Sequence, residues 1–171
     1  MSTVSDGVAI WLSEKEITYA FGIIGGGNVS LWDAIARHKK TQLVCCHHEQ
    51  AAVMAATYYG RQCGRIAIAL VTTGAGSTNA ITGVMAAFMD SAPVIVISGN
   101  ESAEALKSGT RVRGTQGYDS AMLAVGFTKY AARLPSNSWR NVLDFAYHEA
   151  TRPRMGPCWI DCPKDVQNAA L

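Results

Sequence analysis

Two short stretches, residues 66–71 and 93–97, are apolar at every position, and each lies between segments whose apolar residues recur at helical spacing. A strand that is apolar on both faces needs cover on both faces. The common solution is a parallel sheet with helices packed on each side. The rest of the chain keeps the same rhythm. Val4, Val8, Trp11 and Leu12 mark a first helix, and the β-branched and aromatic residues of 17–24 mark a strand. After Gly25-Gly26-Gly27-Asn28 come a helix carrying Val29, Leu31, Trp32, Ile35 and Ala36, a strand over 42–46, and an alanine-rich helix over 49–61. A strand over 66–72, a helix over 77–89 and a strand over 94–98 follow. The pattern then predicts a short helix at 120–125, a strand at 128–132, a helix at 138–150 and a last strand at 158–161, which Pro163 ends. The expected fold is α/β, a doubly wound, mainly parallel sheet with helices on both faces, and a single domain filling residues 1–171.

Composition narrows the function classes. With 49% hydrophobic and 16% charged residues and a net charge of +2, the chain is not of the disordered type. Its longest basic run is Lys39-Lys40, so nucleic acid is not expected as a partner. No apolar run approaches the roughly 20 residues of a membrane span, and the first residues lack a charged stretch followed by an apolar one. A soluble protein without membrane contact is expected. The five cysteines, odd in number and mostly within apolar segments, suit free thiols in a reducing compartment, hence the cytoplasm.

In a doubly wound sheet, ligands bind at the carboxyl ends of the strands. Four turns qualify: Gly25-Gly26-Gly27-Asn28, His47-His48-Glu49-Gln50, Thr73-Gly74-Ala75-Gly76-Ser77, and the polar, glycine-containing segment of residues 99–117 with Gly99, Gly109, Gly114 and Gly117. Generic motifs do not explain them. Gly74-x-Gly76 lacks the third glycine of a dinucleotide fingerprint, and no Gly-Lys-Ser/Thr is present for a P-loop. His48-Glu49 begins a zinc-protease motif, but Ala52 stands where its second histidine belongs. Cys158-x-x-x-Cys162 has no second thiol pair at zinc-finger spacing and is expected to be packing. Glu49, after an apolar strand and opening a helix, is either an acid/base group or an ordinary first-turn residue stabilised by the helix N-terminus.

Five segments in register decide between these. Phe21-Gly22-Ile23-Ile24-Gly25-Gly26-Gly27, His48-Glu49-Gln50-Ala51-Ala52, Thr72-Thr73-Gly74-Ala75-Gly76-Ser77-Thr78-Asn79-Ala80, Asp90-Ser91-Ala92-Pro93-Val94 and Gly156-Pro157-Cys158-Trp159-Ile160-Asp161-Cys162-Pro163-Lys164-Asp165 follow one another in the order of a known domain. The chain resembles the pyrimidine-binding (PYR) domain of thiamine-diphosphate enzymes, in the acetohydroxyacid (acetolactate) synthase branch. The resemblance implies that Glu49 hydrogen-bonds the cofactor's aminopyrimidine ring and favours the imino tautomer that takes the proton from thiazolium C2, the chemistry itself being the cofactor's. It also implies that Gly25, Gly26, Gly27, Thr73, Gly74 and Gly76 lie along the cofactor. Gln116, in Gly114-Thr115-Gln116-Gly117, would stand near the reacting carbons, with His48 and Asn28 bordering the substrate. Asn28 replaces a small apolar residue, and Ala75 replaces a proline, loosening that turn while keeping its backbone donors.

The resemblance also shows what is missing. The Gly-Asp-Gly segment by which the family's PP domain holds Mg²⁺ and the diphosphate is absent, as is the central domain that binds FAD in many relatives. The resemblance therefore implies thiamine diphosphate and Mg²⁺ shared with a partner chain, no metal site on this chain and no FAD. The expected partner is a PP-domain subunit in a heterotetramer or larger assembly, and the start at Met1 favours a separate subunit over an excised domain. The expected activity is decarboxylation of a 2-oxo acid such as pyruvate with transfer of the acyl-anion equivalent to a carbonyl acceptor. The alternatives are a two-subunit decarboxylase of the sulfopyruvate-decarboxylase type that releases an aldehyde, and a non-catalytic assembly module. The alanine-rich helices would form either the partner surface or tight internal packing.

Overall fold

A computed structural model describes residues 2–107 and 111–171; Met1 and Gly109 lie outside the described residues. The elements in chain order are α1 (Val4–Glu14), β1 (Tyr19–Gly22), α2 (Val29–His38), β2 (Gln42–Cys45), α3 (Glu49–Cys63), β3 (Ile68–Val71), α4 (Ala75–Met89), β4 (Val94–Asn100), α5 (Ala103–Lys107), α6 (Ser120–Ala124), β5 (Tyr130–Arg133), α7 (Trp139–Thr151), β6 (Pro157–Pro163) and α8 (Lys164–Gln167). The six strands form one sheet in the order β2-β1-β3-β4-β6-β5, every neighbouring pair parallel.

The fully apolar runs become the central strands, and side-chain alternation divides them between two layers. Ile68 and Leu70 of β3, Ile95 and Ile97 of β4, and Ile160 of β6 face a layer built from α1, α2 and α7, with Trp11, Leu12, Leu31, Ile35 and Leu143. Ala69 and Val71, Val94 and Val96, and Trp159 face α3, α4 and α6, where Val53, Ala56, Ala80, Val84 and Ala124 meet them. Small residues on this second side let the helices come close. A Cβ built on Gly83 of α4 would lie 2.7 Å from Val53 Cβ of α3. The packing role expected of the alanines is present within the domain. Ala52, Ala56, Ala80 and Ala87 are buried between the layers, whereas Ala51 is exposed and Ala55 and Ala86 are half-buried on the outer face.

Several boundaries differ from the expected ones. The first strand stops at Gly22, because Asn28 Nδ2 donates to the Ile23 carbonyl (3.0 Å) and draws Ile23 into the glycine turn. Helix α4 starts at Ala75, two residues early, with Gly74 at φ 63° and ψ −125°, a conformation only glycine adopts without strain. Strand β4 runs two residues further, and α5 and α8 were not anticipated.

Helix α1 begins in a capping box: Thr3 N donates to Asp6 Oδ2 (2.8 Å) and Asp6 N donates to Thr3 Oγ1 (3.3 Å). Thr3→Ala is expected to cost about 1 kcal/mol, read from the urea midpoint at neutral pH. The Thr3 N–H, then the Arg37 guanidinium, hold the Asp6 carboxyl below its ordinary value of 3.8. Its contribution is thus present above 3.8 and lost as pH falls through the lowered folded value. The stabilities of Asp6→Asn and the native chain are expected to converge in acid. The two ends of the chain also meet, with Val4 N donating to Ala169 O and Leu171 N to Ser2 O, both at 3.0 Å.

Candidate active site

The chain runs from β1 outward to β2 and then crosses back to β3, so winding reverses between the carboxyl ends of β1 and β3. A cleft of about 480 Å³ opens there, lined by Gly26, Gly27, Glu49, Thr72, Thr73, Ala75, Gly76, Glu101, Arg113, Gln116 and Lys164. All four turns singled out in the sequence, the 99–117 segment among them, contribute residues to it.

Close backbone contact makes the floor. Gly27 N donates to Thr72 Oγ1 (3.1 Å), and a Cβ on Gly25 or Gly27 would strike Thr72 or Thr73 at 2.5 and 2.2 Å. Below the turn, the Gly27 carbonyl lies where a Gly99 side chain would begin, 2.0 Å from an added Cβ, and it also accepts from Gln167 Nε2 at 2.6 Å. Gly26 has nothing within 4 Å on its open side.

Glu49 opens α3 and is 9% exposed. Asn79 Nδ2 of α4 donates to its Oε2 at 3.1 Å. Its Oε1 lies toward Gly76, where an added Cβ would come within 3.4 Å of it. The glycine thus leaves one carboxylate oxygen reachable from the cleft while the asparagine fixes the other. On the opposite side, the segment around residue 116 is tied down. Thr73 Oγ1 donates to Gln116 Oε1, Ser77 Oγ bonds the Tyr118 hydroxyl, and that hydroxyl also donates to Gly74 O at 3.2 Å. Burial pushes the Tyr118 phenol above its ordinary pKa, which keeps it a donor. Asn100 Nδ2 donates both to Tyr118 O (2.9 Å) and to Asp161 Oδ1 (2.7 Å), anchoring the segment to the sheet. Asp161 is fully buried, and burial raises its carboxyl above the ordinary value even though Arg133, Ser120 and Asn100 all donate to it.

Two expected substrate contacts are placed otherwise. Asn28 is fully buried, its Oδ1 accepting from Gly25 N (2.8 Å) while its Nδ2 binds Ile23 O. Each end of the amide makes a bond that folds the glycine turn, and its full burial makes it a structural clasp in this structure. His48 is exposed and caps α3, its Nδ1 accepting from Gln50 N (3.2 Å), and it does not line the cleft. Glu49, Gln116, Gly26, Gly27, Thr73 and Gly76 do line it, with Gly74 directly beneath Gln116. Sequence reasoning did not single out Glu101 and Arg113, and quoted Asn79 and Lys164 only within motifs. Register pairs Asn100 of β4 with Pro163 of β6, so Glu101 and Lys164 emerge side by side from strands 63 positions apart in sequence.

All five cysteines are free; Cys45 and Cys63 are exposed, and Cys158 and Cys162 are buried. Burial pushes the Cys158 thiol up to about 12, consistent with packing rather than reactivity. Among the described residues no three His, Cys, Asp or Glu side chains are grouped to hold a metal ion, and no helix is long and apolar enough to cross a membrane.

Residues 2–123 match the family described as thiamine pyrophosphate enzyme, N-terminal TPP binding domain. Among characterised proteins, the chain is 36% identical over 163 residues to an acetolactate synthase of Arthrospira platensis, covering 94% of this chain and 28% of that one. It is 35% identical over 159 residues to an acetolactate synthase large subunit of Haemophilus influenzae (92% and 27%). It is 34% identical over 163 residues to the isozyme 2 large subunit of Escherichia coli (93% and 28%). The chain thus spans just over a quarter of the length of these relatives. With a parallel sheet whose winding reverses at a glycine-floored cleft, and a buried glutamate set into that cleft, this chain belongs to the N-terminal, TPP-binding domain family of thiamine pyrophosphate enzymes.

Proposed function

We propose that this chain supplies the pyrimidine side of a thiamine-diphosphate site in an enzyme that decarboxylates a 2-oxo acid and passes the resulting acyl unit to a carbonyl acceptor. The observation that carries the reading is Glu49: a buried carboxylate at the mouth of the switch-point cleft, one oxygen held by Asn79 and the other facing the side-chain-free Gly76. That donor set fits an aminopyrimidine, which needs one fixed acceptor beside a flat, unobstructed floor. When bound, thiamine diphosphate supplies the electron sink for breaking the bond to the departing carboxylate.

The residues of this chain then have distinct tasks. Glu49 Oε1 accepts the hydrogen bond from the pyrimidine ring nitrogen and holds the tautomer that can move a proton. Thr72, Thr73 and the glycines give the ring close backbone contact. Gln116, anchored through Oε1 by Thr73, keeps its amide N–H groups as donors for an oxygen of the substrate. The diphosphate and its Mg²⁺ are assigned in this reading to a partner's PP domain. The groove between α3 and α4, lined by Met54, Tyr58 and Ala86, supports such a partner: Tyr58, Met85 and Met89 on these two helices are 57%, 41% and 69% exposed.

Native mass spectrometry of the chain purified from its own cells, with Mg²⁺ and thiamine diphosphate present, is the test. Capture of a second polypeptide together with the cofactor, and CO₂ release from a 2-oxo acid by that complex, are expected. A folded chain that carries neither partner nor cofactor would overturn the reading.

A further inference from the structure

The wall of the cleft opposite Glu49 holds two cations against one carboxylate. Glu101 is 8% exposed, and its backbone N–H donates to Asn100 Oδ1 (2.8 Å), so its position is fixed. Lys164 Nζ donates to Glu101 Oε2. The nearest guanidinium nitrogen of Arg113 is 3.7 Å from Glu101 Oε1, beyond hydrogen-bond reach, and the Arg113 side chain is 72% exposed. An ion pair this loose and this wet is worth little. One carboxylate balances one cation, which leaves this wall with a surplus positive charge, carried by a planar fork of N–H donors.

The backbone aims that fork. Arg113 adopts φ 46° and ψ 42°, and Gly114 after it has φ 66°, two left-handed residues in succession. A non-glycine residue holds that conformation only at a cost. Gln116 N donates to Arg113 O at 3.3 Å, so one tight turn carries both the Gln116 amide and the Arg113 guanidinium into the cleft. Arg113 and Gln116 therefore line the same cleft as Glu49.

Resting on the 2-oxo acid reading above, we infer that the substrate carries a second anionic group at the end remote from its 2-oxo carboxylate, and that Arg113 is the specificity residue that binds it. Guanidinium pairs bidentately with carboxylate, sulfonate or phosphonate alike. Pyruvate, with only a methyl group at that end, leaves the fork unused.

The complex captured with the partner chain, loaded with thiamine diphosphate and Mg²⁺, is assayed for CO₂ release from pyruvate, oxaloacetate, 3-sulfopyruvate and 3-phosphonopyruvate, with non-enzymatic loss subtracted. At least one dianionic substrate is expected to exceed pyruvate in kcat/KM, and which one identifies the anion. In Arg113→Met the ratio of kcat/KM for that substrate to kcat/KM for pyruvate is expected to fall about 10- to 100-fold, mainly through KM, with Arg113→Lys recovering part. A pyruvate preference in the native complex, or an equal penalty on both substrates, overturns the inference. A second readout needs no turnover. Titration of the chain with 3-sulfopropanoate, which has no oxo group and cannot be decarboxylated, is expected to give saturable amide shifts at residues 113–117 that Arg113→Met abolishes. Turnover of pyruvate without any such binding overturns this inference alone. Binding without turnover of any 2-oxo acid overturns the thiamine reading, and the substrate assignment with it.

Discussion

Glu49→Gln is expected to lower turnover of the assembled enzyme by about 10²- to 10⁴-fold while folding and assembly stay as in the native protein. The substitution keeps size and shape, so the packing of Glu49 between α3 and Gly76 is undisturbed. It changes hydrogen-bond polarity. Asn79 Nδ2 donates to Oε2, and the glutamine must therefore turn its carbonyl oxygen toward Asn79. Its NH₂ then points at Gly76 and the cleft, a donor in the one place where the proposed chemistry requires an acceptor. Steady-state kcat on the complex, with sedimentation velocity and circular dichroism as controls, checks the outcome. Turnover near the native value would mean that the carboxylate is merely the first residue of a helix, and that the domain serves assembly alone.

Gly99→Ala is expected to destabilise the fold by about 3 kcal/mol or more, because the added methyl group meets backbone rather than a side chain that could rotate away. The new Cβ would lie 2.0 Å from Gly27 O, 2.3 Å from Gly27 C and 2.8 Å from Asn28 N. Relief requires the Gly25–Gly27 turn to lift, which breaks the bonds from Gly27 N to Thr72 and from Gln167 to Gly27 O. Gly26→Ala is the internal comparison. Its Cβ meets nothing within 4 Å, and its stability is expected to remain within about 0.5 kcal/mol of native. Urea denaturation of both variants separates a clash from a general intolerance of the turn. Equal midpoints for Gly99→Ala and the native chain would show that β4 and the Gly25–Gly27 turn are not locked together.

Particular residues show why some of this was legible in the sequence and some was not. Strand β3 and the first four residues of β4 are apolar at every position, a signature that survives without tertiary context, and the two strands stand at the centre of the sheet. Gly74 announced a turn at the end of β3 because the backbone there needs what only glycine offers, and Gly76, already inside α4, is small because Thr72 and Glu49 crowd it. Glu49 was legible through its place between a strand and a helix and through the motif around it. Asn28 misled because a buried amide that folds a turn and an amide that meets a ligand look the same in sequence. His48 is seen here only as a helix cap, a role that in sequence looks the same as that of a site histidine at the end of a strand. Glu101 and Arg113 lie in the 99–117 segment, and Lys164 becomes their neighbour only once β4 pairs with β6. Strand order is a property of the packed sheet, set by helix cover and crossover handedness, and periodicity along the chain does not encode it.

The meeting of the chain ends has a mechanical consequence for the cleft. Ser2 and Leu171 are joined by a backbone bond, Ser5 Oγ donates to Gln167 O at 2.9 Å, and the Gln167 side chain reaches the carbonyl of Gly27. Anything fused to either end, by nature or by design, is tethered at one corner of the molecule and within a few bonds of the glycine floor. Load applied at that corner travels first to the turn against which the cofactor would rest. A tag or fusion partner placed there is expected to perturb the site.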